Sequence, residues 1–261
     1  MAIERIVPNT TTWDAYYANH LCRYNFAKEH IKTNQSISIL DAACGVGYGS
    51  KELSLIENSN VVGIDISEEA IKIATTYFPS INIQYLVDDC QSMGLLQSTD
   101  LFDYIISFET LEHLKNPIVF LKSCYEHLKI NGKLIISTPN ILFTQTVNDS
   151  KWDFHEKEYE PIEFYNLLVN AGFNNVKIFG QQLSSIGSLR EDMRSELNKV
   201  KSNPFFRLGS LIQKYLRGHN NTITLPEKLE DFDIIEYQNY QEVQTLTKNR
   251  PFVLIAICDN L

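Results

Sequence analysis

Ser36-Ile37-Ser38-Ile39-Leu40-Asp41-Ala42-Ala43-Cys44-Gly45-Val46-Gly47-Tyr48-Gly49 holds a strand, a turn and the start of a helix in fourteen residues. A short β-branched run ends in an acid and a glycine-rich turn follows. From Tyr48 to Glu57 the apolar residues then recur at helical spacing. Strand, loop and helix in that order make one βα unit, with glycines where backbone must come close to a ligand.

The pattern repeats outward from this stretch. Val61-Val62-Gly63-Ile64 ends in Asp65, and Ser67 caps a helix to about Tyr77 that carries Glu68 and Glu69 in its first turn. Ile81 to Val87 reads as a third strand ending at Asp88-Asp89. Phe102 to Ser107 reads as a fourth, followed by a polar loop from Glu109 to His113. Asn116-Pro117 supplies N-cap and first turn of a helix to Lys129 that stops at Asn131-Gly132, and Lys133 to Ser137 is the fifth strand. A polar stretch runs to Glu160. Then come a helix from Pro161 to Ala171 closed by Gly172, a strand from Phe173 to Phe179 and a last strand from Phe252 to Cys258. Such alternation predicts an α/β fold: a doubly wound sheet of seven mostly parallel strands, helices on both faces, and ligands at the carboxyl ends of the strands.

One segment resists this scheme. Residues 182–249 form an insertion before the last strand, longer than an ordinary connection. Its middle, Asn203 to Arg217, alternates Phe205, Phe206, Leu208, Leu211, Ile212, Tyr215 and Leu216 with Arg207, Lys214 and Arg217 in an amphipathic pattern. A helix packed on its own domain, a lid over substrate, a dimer contact and a membrane-surface helix all fit that pattern.

The chain of 261 residues, 44% hydrophobic and 21% charged, is long enough for one elaborated domain. With 23 basic and 32 acidic side chains its net charge is −9, which disfavours a nucleic-acid partner. Apolar runs of signal-peptide length, or of the roughly 20 residues that span a bilayer, are not seen, so the expected compartment is the cytoplasm. Five cysteines without a C-x-x-C pair predict reduced thiols and no structural metal.

The chemistry sits at the strand tips. Asp41, Asp65 and Asp89 converge on one crevice beside the glycine loop, an arrangement suited to a ligand with hydroxyls and a positive charge. A dinucleotide site fits poorly. Its G-x-G-x-x-G spacing is missing, and a pyrophosphate would be repelled by an acid four residues before the first glycine. A P-loop is excluded because no Lys-Ser or Lys-Thr follows the glycines.

Ile39 to Gly49 resembles the first motif of class I S-adenosylmethionine-dependent methyltransferases, and Val62-Gly63-Ile64-Asp65-Ile66-Ser67 resembles their second. Leu86 to Cys90, Phe102 to Ser107 and Leu128 to Asn140 are similar to the later motifs in order and spacing. The resemblance covers about Ser36 to Phe179. It implies a Rossmann-like fold with S-adenosylmethionine as cofactor and S-adenosylhomocysteine as product. The methionine moiety would lie along Asp41, Ala42, Gly45 and Gly47, the ribose on Asp65 beside Ile66, and the adenine beside Asp89 and Cys90. Asp88 is the neighbouring alternative to Asp89, and Phe108 belongs to the same cofactor site. His20 to Ala27 resembles an amino-terminal helix found in relatives that modify glycans and small molecules, which would bring Arg23 and Tyr24 to the methionine end. The implied organisation is a single methyltransferase domain. Residues 1–33 form a helical cap, 34–181 the cofactor-binding core, 182–249 the insertion and 250–261 the final strand.

Methyl transfer from a sulfonium is an in-line displacement, so positioning does most of the work and a base helps a hydroxyl acceptor most. Base candidates are Glu109, Glu112 and His113 after the fourth strand, and Asp153, His155 and Glu156 after the fifth. His155, His113 and Glu109 are taken as the catalytic set. Clustered Asp and Asn ligands are not found, so transfer is expected to be metal-independent. Neither an Asn-Pro-Pro-aromatic loop nor a Pro-Cys nucleophile follows the fourth strand, which argues against a nucleic-acid base as acceptor. By analogy with the glycan-linked relatives the acceptor is a polar small molecule, a sugar or glycan hydroxyl. Transfer to nitrogen or carbon, and a silent cofactor-binding scaffold, remain the alternatives.

Overall fold

In the computed structural model, which describes residues 11–32, 35–147, 155–188, 228–246 and 250–261, the strands pack with the two-residue period that the sequence shows. In β1 (Ile37–Ala42), Ile37 and Ile39 face one core while Leu40 and Ala42 face the other. The same alternation runs through β4 (Phe102–Ser107), with Ile106 against Ile105, and through β5 (Leu128–Pro139), with Ile135 against Leu134 and Ile136. The sheet is therefore buried on both sides. One face is covered by Phe120, Leu121 and Cys124 of α4 (Pro117–His127) and by Phe164 and Leu168 of α6 (Pro161–Asn170). The other is covered by Tyr24, Phe26 and Ala27 of α1 (Thr11–His30) and by Leu53 of α2 (Tyr48–Leu53).

The strand order is β3-β2-β1-β4-β5-β8-β6-β7, where β2 is Ser59–Asp65, β3 Ile83–Val87, β6 Asn174–Leu183, β7 Phe232–Tyr237 and β8 Val253–Asp259. From β3 to β5 every pairing is parallel, whereas β8 pairs antiparallel with both β5 and β6. The order reverses beside β1: β2 and β3 lie to one side, β4 and β5 to the other. In open α/β sheets the ligand crevice lies at such a point, outside the carboxyl ends of the strands.

Eight strands stand where seven were expected. The additional one, β7, arises inside residues 182–249 and pairs antiparallel with β6, from Phe232 opposite Leu183 to Tyr237 opposite Ile178. A short helix, α7 (Tyr240–Thr245), follows it, capped by Asn239, whose side chain accepts from the Glu242 N–H. The residues flanking the middle of the insertion are tied together: Ser184 N–H donates to Asp231 O at 2.8 Å and Ser184 Oγ to Glu230 O at 2.6 Å. The amphipathic stretch Asn203 to Arg217 lies outside the described residues.

Several boundaries move for local reasons. Helix α2 ends at Leu53 rather than Glu57, because the last amides turn to tighter partners, Leu55 N–H to Glu52 O and Ile56 N–H to Leu53 O. Helix α4 ends at His127 and β5 begins at once, with Asn131 in a left-handed conformation (φ 65°) and its N–H bonded to Asn260 O at 2.7 Å. The remaining named helices are α3 (Glu68–Tyr77), capped by Ser67 as the sequence predicts, and α5 (Ile141–Val147).

Candidate active site

The loop after β1 is built to approach a ligand. Ala43, Gly45 and Gly47 take φ of 63°, 57° and 88°, so the chain turns left-handed three times in five residues. A side chain at Gly47 would lie 2.6 Å from Ala74 Cβ, and one at Gly49 would lie 1.9 Å from Cζ of Tyr24. The glycines thus admit α3 on one side and the Tyr24 ring on the other.

Tyr24 brings α1 onto this loop. Its hydroxyl donates to Asp41 Oδ1 at 3.1 Å and Ser50 Oγ donates to Oδ2 at 2.6 Å. Asp41 is wholly buried, and the loss of water pushes its pKa up to about 7 despite both hydrogen bonds. The Tyr24 ring also meets Phe108 edge-on at 5.0 Å and Tyr48 at 5.8 Å. One residue earlier on α1, Arg23 is 1% exposed. Its Nη1 donates to Asn19 Oδ1 at 2.9 Å and to Gln181 Oε1 on β6 at 2.7 Å. Its Nη2 is the single buried side-chain nitrogen or oxygen without a hydrogen-bond partner among the described residues. A buried guanidinium with an unmatched N–H₂ is costly unless an anion completes it, and a carboxylate fits its planar fork.

Asp65 ends β2 beside the same loop. Its Oδ2 accepts from Gly45 N–H and its Oδ1 from Ser67 N–H, both at 2.9 Å. Ile66 next to it is 70% exposed, an apolar side chain left at the mouth of the crevice. After β3, Asp88 and Asp89 do different work. Asp88 shapes the turn, accepting from Asp89 N–H and Leu95 N–H, while Asp89 accepts from Gln91 N–H. Cys90 is buried and its thiol pKa is raised, first by burial and then by Asp89, so it is no nucleophile at neutral pH.

A second cluster lies over the ends of β4 and β5. Glu109 holds a left-handed backbone (φ 53°). It is pinned through Ser137, which accepts from Glu109 N–H at 3.2 Å and donates to Glu109 Oε1 at 2.7 Å. Glu112, 1% exposed, accepts from Thr138 Oγ1 at 3.1 Å, and its carbonyl accepts the N–H groups of Glu156 and Lys157. Those bonds sew the segment carrying His155 onto the loop carrying His113. The two imidazoles meet edge-on at 5.1 Å. His155 is buried, with Nδ1 2.8 Å from Glu158 Oε1, and Thr144 Oγ1 donates to the other oxygen of Glu158. Glu112, His113 and His155 each offer one donor atom, and these atoms all lie within 4.8 Å of one another.

The structure therefore brings together Arg23, Tyr24, Asp41, Ala42, Gly45, Gly47, Asp65, Ile66 and Phe108 around the first loop, with Asp89 and Cys90 along the next strand end. Glu109, His113 and His155 gather beyond β4 and β5, whereas Asp153 lies outside the described residues. Ser137 and Thr138, inside the Leu128 to Asn140 motif, hold Glu109 and Glu112, while Ser50, Gln181 and Glu158 hold other predicted residues and carry no motif of their own. Only Glu158, three residues after His155 in a segment already singled out, had a signal that spacing could have raised.

A doubly wound sheet with a glycine loop and strand-end acids at its switch point defines a Rossmann-like protein. Comparison then narrows the class. A model of the methyltransferase domain family matches residues 14–178. A probable S-adenosylmethionine-dependent methyltransferase of Mycobacterium tuberculosis is 25% identical over 179 residues, 68% of this chain and 62% of that protein, so the match spans less than two thirds of that relative. The ubiquinone biosynthesis O-methyltransferase of Rickettsia canadensis is 34% identical over 165 residues, 58% of this chain and 68% of that one. A solved SAM-dependent methyltransferase of Thermotoga maritima shares the fold with a TM-score of 0.59 at 14% identity, covering 94% of this chain and 91% of its own. The chain belongs to the methyltransferase domain family, in the class I S-adenosylmethionine-dependent group.

Proposed function

We propose that the protein transfers a methyl group from S-adenosylmethionine to a hydroxyl of a polar small molecule, a sugar or glycan hydroxyl, in the cytoplasm. The observation that carries this reading is the carboxylate–imidazole cluster of Glu112, His113 and His155 at the strand ends beside the β1–β4 crevice, with Glu109 on the same loop held by Ser137. The O-methyltransferase named among the relatives supports oxygen as the atom methylated.

In this reading Arg23 takes the cofactor carboxylate, which completes its orphaned Nη2, and Asp41 faces the ammonium. Gly45 and Gly47 admit the methionine chain, Asp65 takes the ribose hydroxyls, and Ile66, Asp89 and Cys90 border the adenine. Phe108 and Tyr24 close the floor under the sulfonium. The acceptor oxygen attacks the methyl carbon in line and the carbon–sulfur bond breaks. Its electron pair stays on sulfur as the neutral thioether of S-adenosylhomocysteine, and the hydroxyl proton leaves through the acid–imidazole cluster. The chain acts as a single methyltransferase domain.

The test is calorimetric titration with S-adenosylmethionine and S-adenosylhomocysteine, then incubation of the complex with sugars and nucleotide sugars and a mass-spectrometric search for methylated product. Binding followed by methylation of a hydroxyl supports the reading. Folded protein that binds neither cofactor form overturns it. His155→Ala should lower kcat by about 10²-fold or more while cofactor affinity stays within about twofold. An unchanged kcat would remove His155 from the mechanism.

A further inference from the structure

We propose that Glu112, His113 and His155 bind one first-row divalent cation, of the zinc or manganese kind, which ligates the acceptor hydroxyl and delivers it as an alkoxide to the methyl group. The metal-binding half stands on geometry alone, and the alkoxide half rests on the methyl-transfer reading above. It departs from the metal-independent expectation, because the donors here are two imidazoles and a glutamate rather than clustered Asp and Asn.

The donor set is the first argument. Two imidazoles and one carboxylate leave coordination positions open, which is the composition of cation sites that activate a bound oxygen rather than merely brace a fold. The three donor atoms already lie within 4.8 Å of one another, with Glu112 Oε1 3.9 Å from His113 Nε2. Ligands about 2.0–2.2 Å from one ion sit roughly 3–3.5 Å apart, so the widest pair closes by up to roughly 1.5 Å. His113 is the partly exposed member of the set, while Glu112 and His155 are buried.

The supports of the cluster are the second argument. A carboxylate on one ring nitrogen of a metal-bound histidine fixes the tautomer and makes the other nitrogen a better donor. Glu158 Oε1 lies 2.8 Å from His155 Nδ1 and Glu158 is itself held by Thr144, a contact that favours the Nδ1-protonated tautomer. Glu112 is oriented by Thr138. Its own carbonyl anchors the amides of Glu156 and Lys157, so the two ligand-bearing segments cannot drift apart. These contacts set ligand orientation before any ion arrives, which lowers the cost of assembling the site.

The chemistry matches the reaction. A hydroxyl is a poor nucleophile when protonated, and a divalent cation lowers the pKa of a bound oxygen by several units. With the cation held, Glu112, His113 and His155 serve as ligands in place of the proton acceptor of the reading above, so the acceptor hydroxyl loses its proton to solvent, its oxygen bonds the methyl carbon, the carbon–sulfur bond breaks with its pair kept on sulfur, and the ether leaves the ion. No oxidant or reductant is needed.

The experiment is titration of the chelator-treated full chain with Zn²⁺, Mn²⁺ and Co²⁺ separately, by calorimetry with metal analysis after dialysis. S-adenosylhomocysteine binding is measured on the same samples. We expect one cation per chain. Glu112→Gln and His155→Ala should abolish it, and Glu158→Gln, which removes no ligand, should weaken it about 10–100-fold and shift the visible absorption of bound Co²⁺. His113→Ala, at the partly exposed member, serves where the buried variants fail to fold. Turnover should fall with chelation and return with the cation. Failure of folded, S-adenosylhomocysteine-binding protein to take up any of the three ions overturns the site, as do variants that bind like wild type. Cation uptake by protein that binds no S-adenosylhomocysteine supports the site and overturns the methyl-transfer reading instead.

Discussion

At Asp41 burial outweighs two hydrogen bonds that favour its charge, and the carboxyl is left titrating near pH 7. A cationic ammonium placed beside it pulls the pKa back down. Cofactor binding between about pH 6 and 7 should therefore release a proton. Calorimetry in buffers of different ionisation enthalpy will read that release, and Asp41→Asn should remove it; a release that persists in the variant would place the proton elsewhere. Gly47 makes a second prediction at this scale. Its φ of 88° and the 2.6 Å approach of Ala74 Cβ mean that Gly47→Ala costs about 1–3 kcal/mol of stability, measured by urea unfolding.

Elements meet at this site through polar side chains as well as apolar ones. Helix α1 buries Tyr24, Phe26 and Ala27 together with Arg23, so the face turned to the core carries a charge. That charge bridges α1 to β6 through Gln181 and is completed, in the proposed function, by the cofactor carboxylate. Arg23→Gln should weaken S-adenosylhomocysteine binding by about 1.5–3 kcal/mol, the worth of a hydrogen bond to a charged group. Equal affinity would detach α1 from cofactor recognition. The insertion is anchored in a comparable way. Gln244 of α7 accepts from Ile162 N–H and donates to Glu160 Oε2 at the start of α6, and Gln244→Ala should cost about 1 kcal/mol in thermal or urea unfolding.

Over the whole molecule the titrations oppose each other. Asp41 has a folded pKa above its unfolded value of 3.8, so the stability it contributes is full below that pH and lost as pH rises through about 7. Asp103, Asp259 and Glu163 have folded pKa values held down by hydrogen bonds to Lys129, Lys133 and Lys157, so their contribution is present above the carboxylate range and lost on acidification. The cofactor-free protein should be most stable between about pH 4 and 6. Asp41→Asn should melt higher than wild type at pH 8, with the difference vanishing near pH 4. A difference independent of pH would assign the effect to packing.

Local pattern by itself determined the alternation of strands and helices from Ser36 to Phe179, the glycine loop, the strand-end acids and the methyltransferase class, because each is written in neighbouring residues whose spacing backbone geometry dictates. Strand β7 escaped that reading because an edge strand added from within an insertion is defined by its partner β6, a hundred and more chain atoms away, and not by its own residues. The resemblance set Arg23 at the methionine end, but its burial and its bond to Gln181 of β6 escaped the sequence reading, since a buried charge breaks the amphipathic pattern that signals a packed helix. Only the tertiary structure decided that Glu112, His113 and His155 converge, with Glu158 behind them. Chain segments more than forty residues apart meet there because backbone hydrogen bonds from Glu156 and Lys157 to Glu112 join two loops at the same end of the sheet. A one-dimensional pattern holds no record of that closure, and it sets the chemistry of the site.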